Sequence, residues 1–308
     1  MDFDLSDEQR LLKESVERLL AQHYDFDARK AYGKTPEGFG IAMWEQYAGL
    51  GLLGLPFAEE HGGFGGGAVE TMIVMEAFGG VLALEPYIAS VLLAGGIVDG
   101  AGDAAMKEAV LPSVADGSLR LAFAHAERQA RYELSDIAMS AKRDGDGFVL
   151  SGEKSLVLHG DSAHKFVVSA RTAGARRERG GIGLFLVDAG AAGVSRRGYP
   201  TQDGQRAAEV TLDNVRVGKD AIVGDPEKSF PAIEKAVHRT IAALCAEAVG
   251  AMAAMHAQTV EYLKTRKQFG TTIGSFQALQ HRAVDMFVAV EQARSMAMFA
   301  AMMADADD

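Results

Sequence analysis

Residues 262–270, YLKTRKQFG, bring three cations, an amide, an aromatic ring and a glycine together at what reads as a helix end. Lys264, Arg266 and Lys267 suit the negative end of a helix dipole, and Gly270 just beyond supplies a left-handed cap. That reading needs no ligand. Other groupings are weaker. GFGGGA at 63–68 has the glycine spacing of a dinucleotide loop and opens a helix, but such a loop needs a strand directly before it. PFAEEH intervenes, so the segment reads as a flexible glycine loop. His159 and His164 lie in a turn between two strand-like runs, with no cysteine or carboxylate at metal-ligating spacing, and read as surface or turn histidines. Glu59, Glu60 and His61 read as solvated loop charges. No nucleophile elbow, phosphate-loop lysine or pair of zinc cysteines appears.

Helices come first among the elements that must position these residues. Ser6 with Gln9 fits a capping box, and Leu11, Leu12, Val16, Leu19 and Leu20 form one apolar stripe. Helical character continues through 35–53 and 68–83. The pattern changes near residue 118: 147–160, 165–171, 181–189 and 208–217 are short, rich in Val, Leu and Phe, and separated by turns, as in an antiparallel sandwich or barrel. No helix-length amphipathic stretch separates these runs, which argues against a doubly wound parallel sheet. Long helices return over 230–268 and 275–304. The last one runs into DADD, acidic residues that oppose its own dipole, so further chain is expected beyond Asp308.

The bulk numbers agree with a globular protein of about two domains: 308 residues, 48% hydrophobic and 24% charged. A net charge of −11 argues against a nucleic-acid partner, which needs a concentrated basic face. The longest apolar run, near 87–98, falls short of the roughly 20 residues of a membrane span, so no membrane partner is expected. The acidic, polar start reads as neither a secretion signal nor a transit peptide, so neither is expected. One cysteine, Cys245, fits a reducing compartment, and the expected location is the cytoplasm.

Layout and local strings together resemble the acyl-CoA dehydrogenase family. DEQRLLKESVERLL looks like its first helix, and WEQYAGLGLLGLPFAEEHGGFGGG like its Trp-containing helix and Gly-rich loop. GFVLSGEKSLVLHGDSAHKFVVSAR resembles the paired strands of its middle domain, and TLDNVRVGKDAIVG its closing strand. RKQFGTTIGSFQALQHRAVDM is the most specific match. The resemblance implies an α+β fold: an N-terminal helical domain (1–117), a middle antiparallel β-barrel or sandwich domain (118–227) and an incomplete C-terminal helical domain (228–308). It implies FAD, an acyl-CoA substrate, a homo- or hetero-oligomer organised as a dimer of dimers, and an electron-transfer flavoprotein as acceptor. Arg266 would pair with the FAD pyrophosphate of the neighbouring subunit, with Gln268 hydrogen-bonding nearby, Phe269 packing on the cofactor and Gln277 facing it. Guanidinium suits phosphate because it offers a planar, charge-assisted fork.

The implied reaction removes a proton from the carbon α to the thioester and sends hydride from the β carbon to flavin N5. Several family positions depart from pattern. Glu127 matches the Glu of the family's first flavin string, and Ser135 with Asp136 matches its Ser-Asp pair beside the substrate. Ala126 replaces a Thr, and the spacing from there to Ser135 is longer than usual. Leu156 replaces a Trp and Leu158 a Thr near the flavin. Two hydroxyls are lost, each worth about 0.5–1.5 kcal/mol, although backbone amides of 124–127 and 156–158 remain to contact the ring. Arg239 matches a residue beside the acyl pocket, but His238 stands where one branch carries its base Glu. Glu234 and Glu247 do not match the motif. The expected function is FAD-dependent α,β-dehydrogenation of an acyl-CoA. One alternative is a partner subunit in a mixed dehydrogenase, another a flavin oxidase or monooxygenase on the same fold.

Overall fold

The computed structural model describes residues 5–306, which form two compact units interleaved along the chain. The first takes the N-terminal residues through Arg29, then 67–83, then 241 onward. Helix α1 (Asp7–His23) starts at the expected capping box, Ser6 Oγ accepting from Gln9 N–H while the Gln9 side chain accepts from Ser6 N–H. Val16 and Leu20 are buried, but Leu11 is exposed, so the apolar stripe is narrower than its sequence suggests. After the short α2 (Phe26–Tyr32) and α3 (Ile41–Gly49), helix α4 (Ala68–Val81) returns to this unit.

α4 crosses the second part of the long α7 (Phe230–Thr265) at two glycines. A Cβ built on Gly79 would lie 1.9 Å from the Glu247 carbonyl oxygen, and one on Gly250 would lie 1.9 Å from that of Glu76. α8 (Gln277–Ala304) pairs Arg294 with Glu76. The acidic end that opposes its own dipole has a use: Asp305 Oδ2 accepts from Ala68 N–H at 2.6 Å, placing a carboxylate at the positive end of α4. An 18-residue window of α7 has a mean hydropathy of 1.4, long and apolar enough for a membrane span by length and composition alone. Alanine raises that value, and small residues, Gly250 among them, permit the close crossing.

The second unit holds residues 30–66 and 84–240, including α3, α5 (Tyr87–Ala101) and α6 (Ala104–Ala115). Buried Trp44 donates its Nε1–H to Gly117 O at 2.9 Å, which ties α3 to the entry of the sheet. The expected flexible glycine loop is held down. Gly65 N–H donates to Phe57 O (2.7 Å) and Gly66 N–H to Leu55 O (2.8 Å).

Eight strands form one sheet: β1 (Leu121–Ala124), β2 (Ser140–Asp144), β3 (Gly147–Leu158), β4 (Lys165–Arg171), β5 (Ile182–Asp188), β6 (Val194–Pro200), β7 (Arg206–Val217) and β8 (Ile222–Val223). Their order is β6-β7-β3-β2-β4-β5-β8, with β1 beside β4. As expected, most strand pairs are antiparallel, with two exceptions. β1 runs parallel to β4 through four register pairs, and β2 meets β4 in parallel at Ser140 and Arg171. A parallel pair needs a long crossover, and the β2–β3 hairpin supplies it without a helix.

Candidate active site

Phe148, Leu150 and Lys154 share one parity on β3, and all three are buried. Lys154 is 0% exposed and spends all three ammonium protons: on Glu127 Oε1 (2.7 Å), His125 O (3.1 Å) and Ser169 Oγ (3.1 Å). Glu127 is as fully engaged. Besides Lys154 it accepts from Gln129 Nε2 (2.7 Å), Ala138 N–H (2.9 Å) and Met139 N–H (3.1 Å). Burial pulls Lys154 down to about 8 with Glu127 opposing, and burial would raise Glu127 but Lys154 and the other donors carry it below the usual carboxylate range. Ser169 Oγ accepts from Lys154 Nζ and lies 2.9 Å from His125 Nδ1, a hydrogen bond whose direction is set by the imidazole tautomer. Burial plus the adjacent Lys154 cation lower His125 to about 3, so its ring is neutral.

This network fixes two backbone segments. Ser155 N–H donates to Ala126 O at 2.8 Å, joining the strings 124–127 and 156–158 into one surface. Opposite β7 the register slips between Lys154 and Val157, a β-bulge that turns Leu156 out at 53% exposure with φ +50°. Leu158 and Ala126 are half-buried.

A second cluster lies on the loops that follow. Ser135 is buried and its hydroxyl donates to Glu133 Oε1 at 2.8 Å, so it has lone pairs but no proton to offer. Asp136, its side chain 0% exposed, is gripped by Arg176 Nε (2.7 Å) and Arg177 Nε (2.8 Å). Arg171 laces the same loops, donating to the carbonyls of Ser135 (2.8 Å), Arg176 (2.6 Å), Glu178 (2.9 Å) and Gly180 (2.7 Å). His238 and Arg239 are exposed near the start of α7.

In the first unit, α7 ends at Thr265 and a small hairpin follows, β9 (Lys267–Gln268) and β10 (Thr271–Thr272). The expected glycine cap is instead a two-residue turn, with Phe269 at φ +54° and Gly270 at φ +80°, the geometry of a type I′ hairpin. Phe269 is 91% exposed and meets Phe276 edge-on at 6.2 Å. A phenylalanine held left-handed in solvent carries a conformational cost of about 1–3 kcal/mol, strain of the kind that gathers at binding sites. Arg266, Gln268 and Gln277 are exposed around it.

The N-terminal, middle and C-terminal domain models of acyl-CoA dehydrogenases match residues 6–118, 122–215 and 230–308. The chain belongs to the acyl-CoA dehydrogenase family. Among its relatives, the acyl-CoA dehydrogenase FadE12 of Mycobacterium tuberculosis is 31% identical over 98% of this chain and 78% of its own length. The ChsE4-ChsE5 complex of the same organism superposes with a TM-score of 0.86 at 26% identity, over 98% of this chain and 79% of that one. The FAD complex of PigA superposes at 0.92 and 25% identity, over 99% of this chain and 81% of that one. The helical, β-rich and helical segments are those of the acyl-CoA dehydrogenase fold, and the family's chemistry is flavin-dependent dehydrogenation with FAD as cofactor.

Set on that family frame, the residues singled out in the sequence fall into three groups. Ala126, Leu156 and Leu158 lie on segments joined by the Ser155–Ala126 hydrogen bond, whereas Glu127 is buried and its carboxylate is spent on structure. Arg266, Gln268, Phe269 and Gln277 gather around one hairpin. Ser135 sits in the laced loops. His164 is an exposed turn residue, its ring beside the Arg120 backbone N–H at 3.2 Å, whereas His159 is buried at 2% exposure and its surface reading is corrected. Its ring packs edge-on to Phe39 at 5.9 Å, with Asp161, Gln205 and Arg206 also close to it. Lys154, Ser169 and His125 went unrecognised in the sequence. The signal was there: on a strand with buried Phe148 and Leu150, a lysine of the same parity needs an acid partner.

Proposed function

We propose that this chain serves FAD-dependent α,β-dehydrogenation of an acyl-CoA thioester. One observation carries the reading: the Ser155–Ala126 hydrogen bond and the Lys154–Glu127 pair assemble the two flavin strings on one surface. The fit to FAD rests on backbone there, because Ala126 and Leu158 lack hydroxyls. The Ala126 N–H has no acceptor among the described residues, and Leu156 offers apolar cover. When bound, FAD supplies the hydride acceptor. Arg266 with Gln268 and Phe269 would hold the pyrophosphate end of a neighbouring subunit's cofactor. Ser135 and Arg239 would line the thioester side, Ser135 only as an acceptor. An apolar row on α8 (Val284, Phe287, Val288, Met296, Phe299, Met303) is exposed, which supports an oligomer such as a dimer of dimers. The cytoplasm and an electron-transfer flavoprotein acceptor belong to the same proposal.

A second reading, a partner subunit that completes the site of a flavin-bearing homologue, is favoured by His238. It stands exposed where the base is sought, and the neighbouring Arg239 offers no carboxylate. The visible spectrum of protein purified from its native background, with mass analysis of copurifying chains, separates the two. A yellow homo-oligomer supports the dehydrogenase, and a colourless chain that acquires flavin only beside a homologous partner supports the second reading. A colourless chain that never acquires flavin refutes both.

A further inference from the structure

We infer that Lys154 is a positioning residue for the flavin, acting through the His125–Ala126 peptide; this rests on the flavin reading above. Lys154 Nζ donates to the His125 carbonyl at 3.1 Å from a fully buried position. In a planar trans peptide the C=O and N–H point in opposite directions. Drawing the His125 carbonyl inward therefore turns the Ala126 N–H away from Lys154, at a half-buried position. On its other side Ala126 is held by its carbonyl, which accepts from Ser155 N–H. The Ala126 peptide is thus pinned at both ends, and among the described residues its N–H is unspent.

The ammonium also strengthens the donor. A cation on the carbonyl polarises the peptide, and hydrogen bonds in a chain reinforce one another by about 10–30% each. Lys154 cannot turn to another task, because its three protons are committed and Glu127 is locked by three further donors. Stability alone does not explain the charge. A neutral pair of similar volume fills such a site at little or no loss, whereas a polarised peptide needs the cation. With hydroxyls absent at 126 and 158, the aimed Ala126 N–H takes over the work of offering a hydrogen bond to a flavin acceptor atom.

The test uses the full chain, with any partner that copurifies, and reads FAD affinity by titration, the flavin midpoint potential by dye equilibration, and thermal stability. Lys154→Met combined with Glu127→Gln removes the charge while keeping volume, and Ala126→Pro removes the donor while keeping the ion pair. Both should weaken FAD binding by about tenfold, the scale of one lost hydrogen bond, and move the potential to more negative values. Ser169→Ala, which strands one Lys154 proton without freeing the peptide, should lower stability and leave the potential unchanged. If the charge-free variant does not fold, Ala126→Pro decides. Wild-type affinity and potential in both variants overturn the inference while leaving the flavin reading intact. A wild-type assembly that takes up no FAD overturns both.

Discussion

Gly79 and Gly80 are adjacent in α4, yet alanine should act on them with opposite sign. At Gly79 the new Cβ would sit 1.9 Å from the Glu247 carbonyl oxygen and 2.7 Å from its carbon. Reaching ordinary contact needs α4 and α7 to part by roughly 1.5 Å, since non-bonded atoms settle near 3.5 Å. Overpacking of this kind costs about 1–3 kcal/mol, against which alanine returns up to about 1 kcal/mol of helix propensity. The net expectation for Gly79→Ala is a loss of about 1–2 kcal/mol. A Cβ on Gly80 meets nothing within 4 Å, so Gly80→Ala should gain about 0.5–1 kcal/mol. Gly250→Ala repeats the first case against Glu76. Because either substitution already separates the helices, the Gly79/Gly250 double variant should lose less than the sum. Urea titrations followed by far-UV circular dichroism give all four values at shared slope. Equal stabilisation by Gly79→Ala and Gly80→Ala would refute the close crossing.

Two further outcomes follow from single contacts. His159 is buried and held down to about 4 by desolvation, against an ordinary 6.5, and His125 to about 3. Between these values and 6.5 the unfolded chain binds more protons, so stability should rise with pH across that window and level off above it, by up to about 1.4 kcal/mol per pH unit for each ring. Calorimetry from pH 4.5 to 8 checks this; His159→Asn, which tolerates the φ of +51° there, should flatten the slope, and an unchanged slope counts against the assignment. Asp305→Ala removes the carboxylate from the Ala68 N–H and should cost about 1 kcal/mol in the same titrations. A loss confined to high salt would contradict a dipole and cap effect, which salt screens.

The sequence by itself determined the class of each segment and the family. The capping box at Ser6, the alternating runs after residue 118 and the RKQFG string are local signals, and local chemistry suffices to read them. Its errors were of a different kind. A glycine after a cationic helix end is equally compatible with a helix cap and a hairpin, and only the φ of Phe269 settles which. His159 lies in the expected turn, but packing buries its ring, which the sequence does not show. The acidic tail looks unfavourable until Asp305 meets the start of α4. Which glycine of the 79–80 pair is the crossing point, and which acid answers Lys154, depends on residues many positions away. Such contacts form only when the chain packs, because burial makes an unpaired charge or a surplus methyl costly in one place and harmless one residue along.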